Sequence, residues 1–210
     1  MAAKTDTAIY KGHTRLYVVG FAISAALLLA SAGIALGGVP GWEHSLSRAI
    51  NDLPNGWSKA MEWITLLGSP WMAVVAVVGS FFARFYRLAW RLALSVFCGY
   101  AAAFVVKHIV GRERPFELFA DIHNRVQETG MGFPSGHTTI ATIIMLTFLP
   151  YLSIKWRIIV PLVVVAVGFS RVYLGVHLPL DVLGGLALGT AIVASIRILP
   201  QSLRVFLRID

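Results

Sequence analysis

Cysteine, acidic side chains and charge in general are all scarce in this chain. The single cysteine among 210 residues, Cys98, lies inside an apolar run, which excludes an internal disulfide and with it a disulfide-stapled secreted fold. Charged residues make up 13% of the chain and hydrophobic residues 57%, against about 25% charge in an ordinary soluble domain. With a mean hydropathy of +0.74, so much apolar surface does not fit inside one core beneath a wettable exterior. A cytosolic enzyme and a disordered chain are excluded together, and a membrane protein is left. Acidic residues number 10 against 18 basic ones, for a net charge of +8. That balance raises the question of nucleic acid, but the basic residues punctuate apolar segments and form no stripe interleaved with aromatics. They read as the flanks of spans, and no nucleic-acid partner is expected.

What the chain has in abundance is apolar runs. Six of them, at residues 16–42, 63–83, 92–106, 138–154, 158–170 and 182–196, are free of Asp, Glu, Lys and Arg. The first is far longer than the 7–15 apolar residues of a signal peptide, and Gly37-Gly38-Val39-Pro40 makes a poor cleavage site, so it is expected as a retained helix. The second tolerates Pro70 near its start. The later runs are shorter and end at a charge or a histidine, the pattern of spans that carry working residues at their ends. No 20–50-residue repeat or low-complexity tract is present. The expectation is an all-α, integral-membrane bundle of six transmembrane helices forming one domain, residues 1–210.

Two connections are long, at 39–60 and 111–134. In the first, Trp42, Leu46, Ala49, Ile50, Leu53 and Trp57 recur at helical spacing, and in the second Phe116, Phe119, Ile122 and Val126 nearly do. Short helices lying in the headgroup plane fit this pattern, as do loop helices packed on the bundle. Six spans put both termini on one side, with Lys4, Lys11, Arg15, Arg84, Arg87, Arg91, Lys155, Arg157, Arg197, Arg204 and Arg208. The other side carries only Arg48, Lys59, Lys107, Arg112, Arg114, Arg125 and Arg171, together with most of the acids. Basic residues are retained in the cytoplasm. The termini are therefore expected there, in the inner (cytoplasmic) membrane, with both long connections facing the periplasm or exterior.

The unusual polar residues all fall at span ends on that outward side. They form three clusters: Lys107 to Pro115, Phe133-Pro134-Ser135-Gly136-His137, and Ser170 to Asp181. Ionisable groups cost about 2.5–3.5 kcal/mol each at mid-membrane and less near the ends, so their gathering at one level points to a shared task. A phosphate fits the inventory. Arginine pairs bidentately with phosphate oxygens and lysine adds a point charge, which makes Lys107, Arg114 and Arg171 a candidate cage. Ser135 and Gly136 open a helix whose free N–H groups bind anions. Of His137 and His177, one is placed to attack phosphorus and the other to protonate the departing oxygen, and spacing leaves open which does which. Asp181, four residues beyond His177, can hold its tautomer, and Pro179 in the first turn of the last helix puts His177 ahead of that helix. Arg112, Arg125, His13, His44, His108 and His123 read as interfacial or structural. No metal is expected, because His137 and His177 lack a third ligand at metal spacing.

Lys107-x6-Arg114-Pro115, Pro134-Ser135-Gly136-His137 and Ser170-Arg171-x5-His177-x3-Asp181 together resemble the three-part signature of the type 2 phosphatidic acid phosphatase family. That superfamily takes in undecaprenyl pyrophosphate phosphatases, lipid A phosphatases, glucose-6-phosphatase and vanadium haloperoxidases. The resemblance implies that His177 is the nucleophile, Asp181 its orienter and His137 the acid and then the base. It further implies that Lys107, Arg114, Ser135, Gly136 and Arg171 hold the phosphoryl oxygens, without a cofactor.

The leading expectation is a membrane phosphatase acting on a lipid phosphate or diphosphate, with undecaprenyl diphosphate first. Phosphatidylglycerol phosphate, phosphatidic acid and lipid A phosphate groups are the alternatives, as hydrolase or phosphotransferase. Vanadate-dependent peroxidation and non-catalytic lipid transport rank behind. His177→Ala is expected to abolish phosphate release, while His108→Ala keeps most of it. Equal losses in the two purified variants would mean that the site is misassigned.

Overall fold

The computed structural model describes residues 3–207. Residues 1–2 and 208–210, and the side chains of 3–13, 201, 204 and 205, lie outside the described residues, and the readings of Lys4, Lys11, His13, Arg204 and Arg208 fall there. Among the described residues every regular element is helical: α1 (Ala3–Leu36), α2 (Gly41–Asn51), α3 (Ser58–Leu66), α4 (Pro70–Phe82), α5 (Tyr86–Val110), α6 (Pro115–Leu118), α7 (Gly136–Phe148), α8 (Ile159–Tyr173), α9 (Pro179–Ile198) and α10 (Gln201–Phe206).

Four stretches are long and apolar enough to cross a bilayer alone: Thr14–Leu36, Tyr86–Leu118, Ile154–Tyr173 and Pro179–Ile198. The run at 63–83 does not form one straight helix. It belongs to a pair, α3 and α4, bent by 44°. Pro70 has no N–H to donate and favours a first helical position, and the Ser69 hydroxyl accepts from Met72 N at 3.2 Å to cap α4. The run at 138–154 also departs from expectation. α7 has 13 residues, about 20 Å at 1.5 Å per residue, short of the ~30 Å hydrocarbon layer. Its helix gives way to a 3₁₀ turn at Leu149–Tyr151, as Pro150 requires, and Thr138 to Ile144 are all buried. α7 is therefore a core helix enclosed by its neighbours.

The two long connections behave differently. In α2 the polar residues Glu43, Ser47 and Asn51 are buried while Trp42 and Leu46 are exposed, so its polar stripe packs on the bundle and its apolar stripe faces out. The second connection holds only the four-residue α6. Its apolar residues turn inward instead of lying as a helix in the headgroup plane: Ile122 is buried, and Phe116 and Val126 pack on Tyr173, Leu174 and Val176.

Helices α1 and α9 pack against each other. Gly38, just after α1, accepts from Arg112 at 3.3 Å, and at the far end the Arg197 guanidinium lies 5.9 Å from the Tyr17 ring centroid. The start of α1 and the end of α9 thus share one end of the bundle. Close approach of α7 to α9 depends on small residues: a Cβ added to Gly185 would lie 2.5 Å from the Ser135 carbonyl oxygen, and one on Gly189 2.8 Å from that of Thr139. The threonine hydroxyls between them are satisfied inside α7, Thr139 to Ser135 O at 2.9 Å and Thr142 to Thr138 O at 2.8 Å.

At the α3–α4 break, a Cβ on Gly68 would strike the His137 backbone carbonyl. Gly68→Ala is expected to cost about 1–3 kcal/mol by overpacking and to lower activity. Gly79→Ala, in α4 with open space around it, is expected to be neutral or to stabilise by up to about 1 kcal/mol. Thermal unfolding and phosphate release on both variants check this pair.

Candidate active site

The expected residues meet at one end of the bundle because each occupies a helix terminus or the turn beside one. Lys107 is in the last turn of α5, Arg171 in the last turn of α8 and Asp181 in the first turn of α9, while Ser135 caps α7. His177 lies in the turn between α8 and α9, 2% exposed. Pro179 opens α9, and the Asp181 carboxylate reaches back to accept from Leu178 N at 2.9 Å. The same oxygen stands 3.4 Å from His177 Nδ1. The carboxylate therefore fixes the turn and addresses one ring nitrogen, which leaves Nε2 for chemistry.

The cations are held from several elements. Arg114 donates to Gly130 O at 2.8 Å, Val176 O at 2.9 Å and Thr129 O at 3.1 Å. Lys107 Nζ donates to Met131 O at 2.5 Å. Arg171, only 1% exposed, donates to Thr65 Oγ1 at 3.0 Å beside the α3–α4 break, so it is built into the interior and does not extend to headgroups. Ser135 N donates to Asp181 O at 2.9 Å, which ties the starts of α7 and α9 together. Its hydroxyl accepts from Thr138 Oγ1 at 3.1 Å. A Cβ on Gly136 would meet open space. Both imidazoles lie in the field of the same four groups, Arg171, Arg114, Lys107 and Glu128, so residues scattered from 107 to 177 converge.

Two features escaped the sequence reading. Glu128 bridges the cage: it pairs with Arg114 at 3.0 Å and hydrogen-bonds to Arg171. Burial alone pushes its carboxyl up, but the charges of Arg171 and His177 and the Arg171 hydrogen bond bring it down to about 2. A carboxylate thus spans both guanidiniums and marks the space between them as a seat for anionic oxygens. Arg112, expected to be interfacial, is instead 5% exposed and pairs with Glu43 at 2.5 Å and Asp181 at 2.9 Å. Its position two residues before Arg114 gave no sign of this, since both partners are distant in sequence.

Arg125, His44, His108 and His123 make contacts within the fold. Arg125 donates to Asn51 O at 2.6 Å and Tyr173 O at 3.0 Å and lies over the Tyr173 ring. His44 contacts Asp121 at 3.1 Å and stacks on Phe119. His108 bonds Phe104 O at 2.8 Å, and the backbone of His123 exchanges hydrogen bonds with the Asn51 amide.

A helical bundle that buries Arg114, Arg171 and His177 and brings His137 into the same field fits the class of membrane-embedded phosphatases. Comparison with known proteins narrows this. The PAP2 superfamily model matches residues 88–204, and the chain belongs to that family. It is 33% identical over 178 residues to phosphatidylglycerophosphatase B of Bacillus subtilis, covering 77% of this chain and 85% of that one. It is 33% identical over 122 residues to undecaprenyl-diphosphatase of Sulfolobus acidocaldarius, covering 57% and 58%. The crystal structure of the transmembrane PAP2 type phosphatidylglycerolphosphate phosphatase from Bacillus subtilis superposes with a TM-score of 0.67 at 29% identity, covering 83% of this chain and 93% of that one. The protein is a multi-pass membrane enzyme that hydrolyses phosphorylated lipids.

Burial above all, then the charges of Arg171, Arg114 and Lys107, push the His177 imidazole well below the ordinary histidine value, against the smaller pull of Glu128. The unfolded chain takes up a proton at this residue near the reference value of about 6.5, whereas the folded protein does not. Stability from this group is whole above that value and is lost as pH falls, at about 1.4 kcal/mol per unit. The thermal midpoint in detergent is expected to drop from about pH 7 to about pH 5, and His177→Gln to reduce the slope. Equal slopes would mean that His177 exchanges no proton on unfolding.

Proposed function

We propose that the protein removes a terminal phosphate from a lipid diphosphate or phosphomonoester through a phosphohistidine, with undecaprenyl diphosphate as substrate, at the outward face of the cytoplasmic membrane. The observation that carries this is the Arg114–Glu128–Arg171 arrangement beside His177: an oxyanion seat bounded by two forked cations and adjoining a buried neutral imidazole. Lys107, the Ser135 hydroxyl and the Gly136 N–H complete the phosphate seat.

In the first step the His177 Nε2 lone pair forms a bond to phosphorus as the bond from phosphorus to the lipid oxygen breaks, and His137, which takes up a proton as the anionic phosphate fills the cage, gives that proton to the lipid oxygen. Asp181 holds the Nδ1 proton of His177 and faces the charge that grows on the ring. In the second step neutral His137 takes a proton from water, the water oxygen bonds to phosphorus and the P–N bond breaks. Phosphate is released and both histidines return to their starting states. The guanidiniums and the α7 N-terminus stabilise the equatorial oxygens throughout, where preorganised donors have most effect. The apolar tail remains in the lipid that surrounds the exposed helix faces. The excess of Lys and Arg at the end shared by both termini supports a cytoplasmic position for that end, and so an outward site.

A second reading, phosphatidylglycerol phosphate, is favoured by the coverage and identity of the Bacillus subtilis relative. Purified protein assayed for phosphate release from undecaprenyl diphosphate, phosphatidylglycerol phosphate, phosphatidic acid and lipid A separates the two. The expected order places undecaprenyl diphosphate first, with inhibition by orthovanadate and no peroxidase activity. A higher kcat/KM for phosphatidylglycerol phosphate would transfer the assignment to the second reading, and no release from any lipid would overturn both.

A further inference from the structure

Behind the His177–Asp181 pair lies a second layer of charge with no place in the chemistry so far. Asp181 divides its oxygens: Oδ2 serves Leu178 N and His177, while Oδ1 accepts from Arg112 Nη1 at 2.9 Å. Arg112 in turn is gripped by Glu43, whose Oε2 accepts from Nη2 at 2.5 Å and whose Oε1 accepts from Nη1 at 3.1 Å. Glu43 Oε1 also accepts from Leu180 N at 2.8 Å, on the same first turn of α9 that carries Asp181. Glu43 and Asp181 are fully buried, and the three side chains come from α2, the segment after α5, and α9.

Burying three charges in the interior is expensive, and replacing such a group by apolar residues is often neutral or stabilising. A purely architectural role is therefore a weak explanation for this arrangement. Two physical consequences bear on the neighbouring imidazole. The fork of Arg112 fixes the plane of the Asp181 carboxylate, because one guanidinium edge is locked bidentately by Glu43 and cannot swivel. The charge count also matters: Arg112 alone would cancel the charge of Asp181, and Glu43 leaves the trio with one net negative charge facing an imidazole otherwise surrounded by Arg171, Arg114 and Lys107.

We propose that Arg112 and Glu43 are positioning residues for the nucleophile, acting through Asp181 to hold the His177 ring in its attacking orientation and to supply the negative charge that its phosphorylated state requires. The inference rests on the reading of His177 as nucleophile given above. Neither residue contacts the phosphate seat, so their loss should lower kcat and leave substrate and vanadate binding alone.

Phosphate release from phosphatidylglycerol phosphate and undecaprenyl diphosphate in detergent micelles, with orthovanadate as the probe of the cage, tests this. Arg112→Gln is expected to lower kcat about 100-fold, the scale of a misplaced reacting group, and Glu43→Gln about tenfold, with KM and vanadate inhibition within about twofold of the parent. Arg112→Lys, which keeps the charge without the fork, should recover part of the loss. Glu43→Gln combined with Arg112→Gln should be no worse than Arg112→Gln alone, because Glu43 acts through Arg112. Where Arg112→Gln does not purify in folded form by thermal unfolding, Arg112→Lys and Glu43→Gln carry the same comparison. Full kcat in these variants alongside an inactive His177→Ala overturns the inference alone, as do losses in KM and vanadate inhibition that match those in kcat. Turnover surviving in His177→Ala overturns the reading of the nucleophile and this inference with it.

Discussion

Buried guanidinium groups must be matched by carboxylates and carbonyls, and that constraint organises this end of the molecule. Arg112, Arg114 and Arg171 are each at most 5% exposed, and an uncompensated ion at such a depth costs several kcal/mol. Glu43, Glu128 and Asp181 supply the counter-charges, and the backbone of the 111–134 connection supplies much of the rest. Residues 129–132 contain no regular element, yet the carbonyls of Thr129, Gly130, Met131 and Gly132 all point at Arg114 or Lys107. The connection has a defined course because it solvates cations that the helix ends have already placed there.

The helix termini explain why those cations are tolerated. The N-termini of α7 and α9 lie side by side, joined by Ser135 N to Asp181 O, and two positive dipole ends in contact would repel. The Asp181 carboxylate at the start of α9 offsets one of them and the Ser135 hydroxyl satisfies donors at the other. Contact at this range is possible because α9 presents glycine at 184, 185 and 189. The same economy of side-chain volume lets α9 pack closely on α7. Helix α7 works as a core strut that presents His137, and the broken α3–α4 pair meets it at Gly68.

Much of this was legible in the sequence, and the limits have physical causes. His137, His177, Asp181 and the cage cations stood out because polar residues at the ends of apolar runs are costly and therefore conspicuous. The position of Pro179 even told that His177 precedes α9. Length and composition in the structure support four single spans and the bent α3–α4 pair, and α7 is the run that falls short of the expected six, because Pro150 stands just past its 13 residues. Glu128 carries no periodic signal, because it sits in irregular backbone nine residues before His137. Glu43 did carry one: Glu43, Ser47 and Asn51 recur every four residues on the face opposite Trp42 and Leu46. The apolar stripe drew the reading toward the headgroups, while the buried face was the polar one. Arg112 was opaque because its partners come from α2 and α9, and only the fold brings them together.

The distribution of charge separates two tasks that a phosphate-transferring site must perform at once. On the cage side Lys107, Arg114 and Arg171 face Glu128, leaving two positive charges, which match a terminal phosphate that carries a charge of about −2 near neutral pH. On the far side of His177 the trio of Asp181, Arg112 and Glu43 is net negative by one. An imidazole that attacks phosphorus must be neutral beforehand and becomes cationic on the ring once phosphorylated. In the proposed mechanism the cage favours the neutral form of His177 before attack, and the trio faces the positive charge that then develops. Had all the cations stood on one shared surface with no carboxylates behind the ring, the same field that draws in the phosphate would also oppose formation of the phosphohistidine. Placing acids behind the proposed nucleophile and cations in front of it removes that conflict, and it gives the buried Glu43, which touches no imidazole, a part in the proposed chemistry.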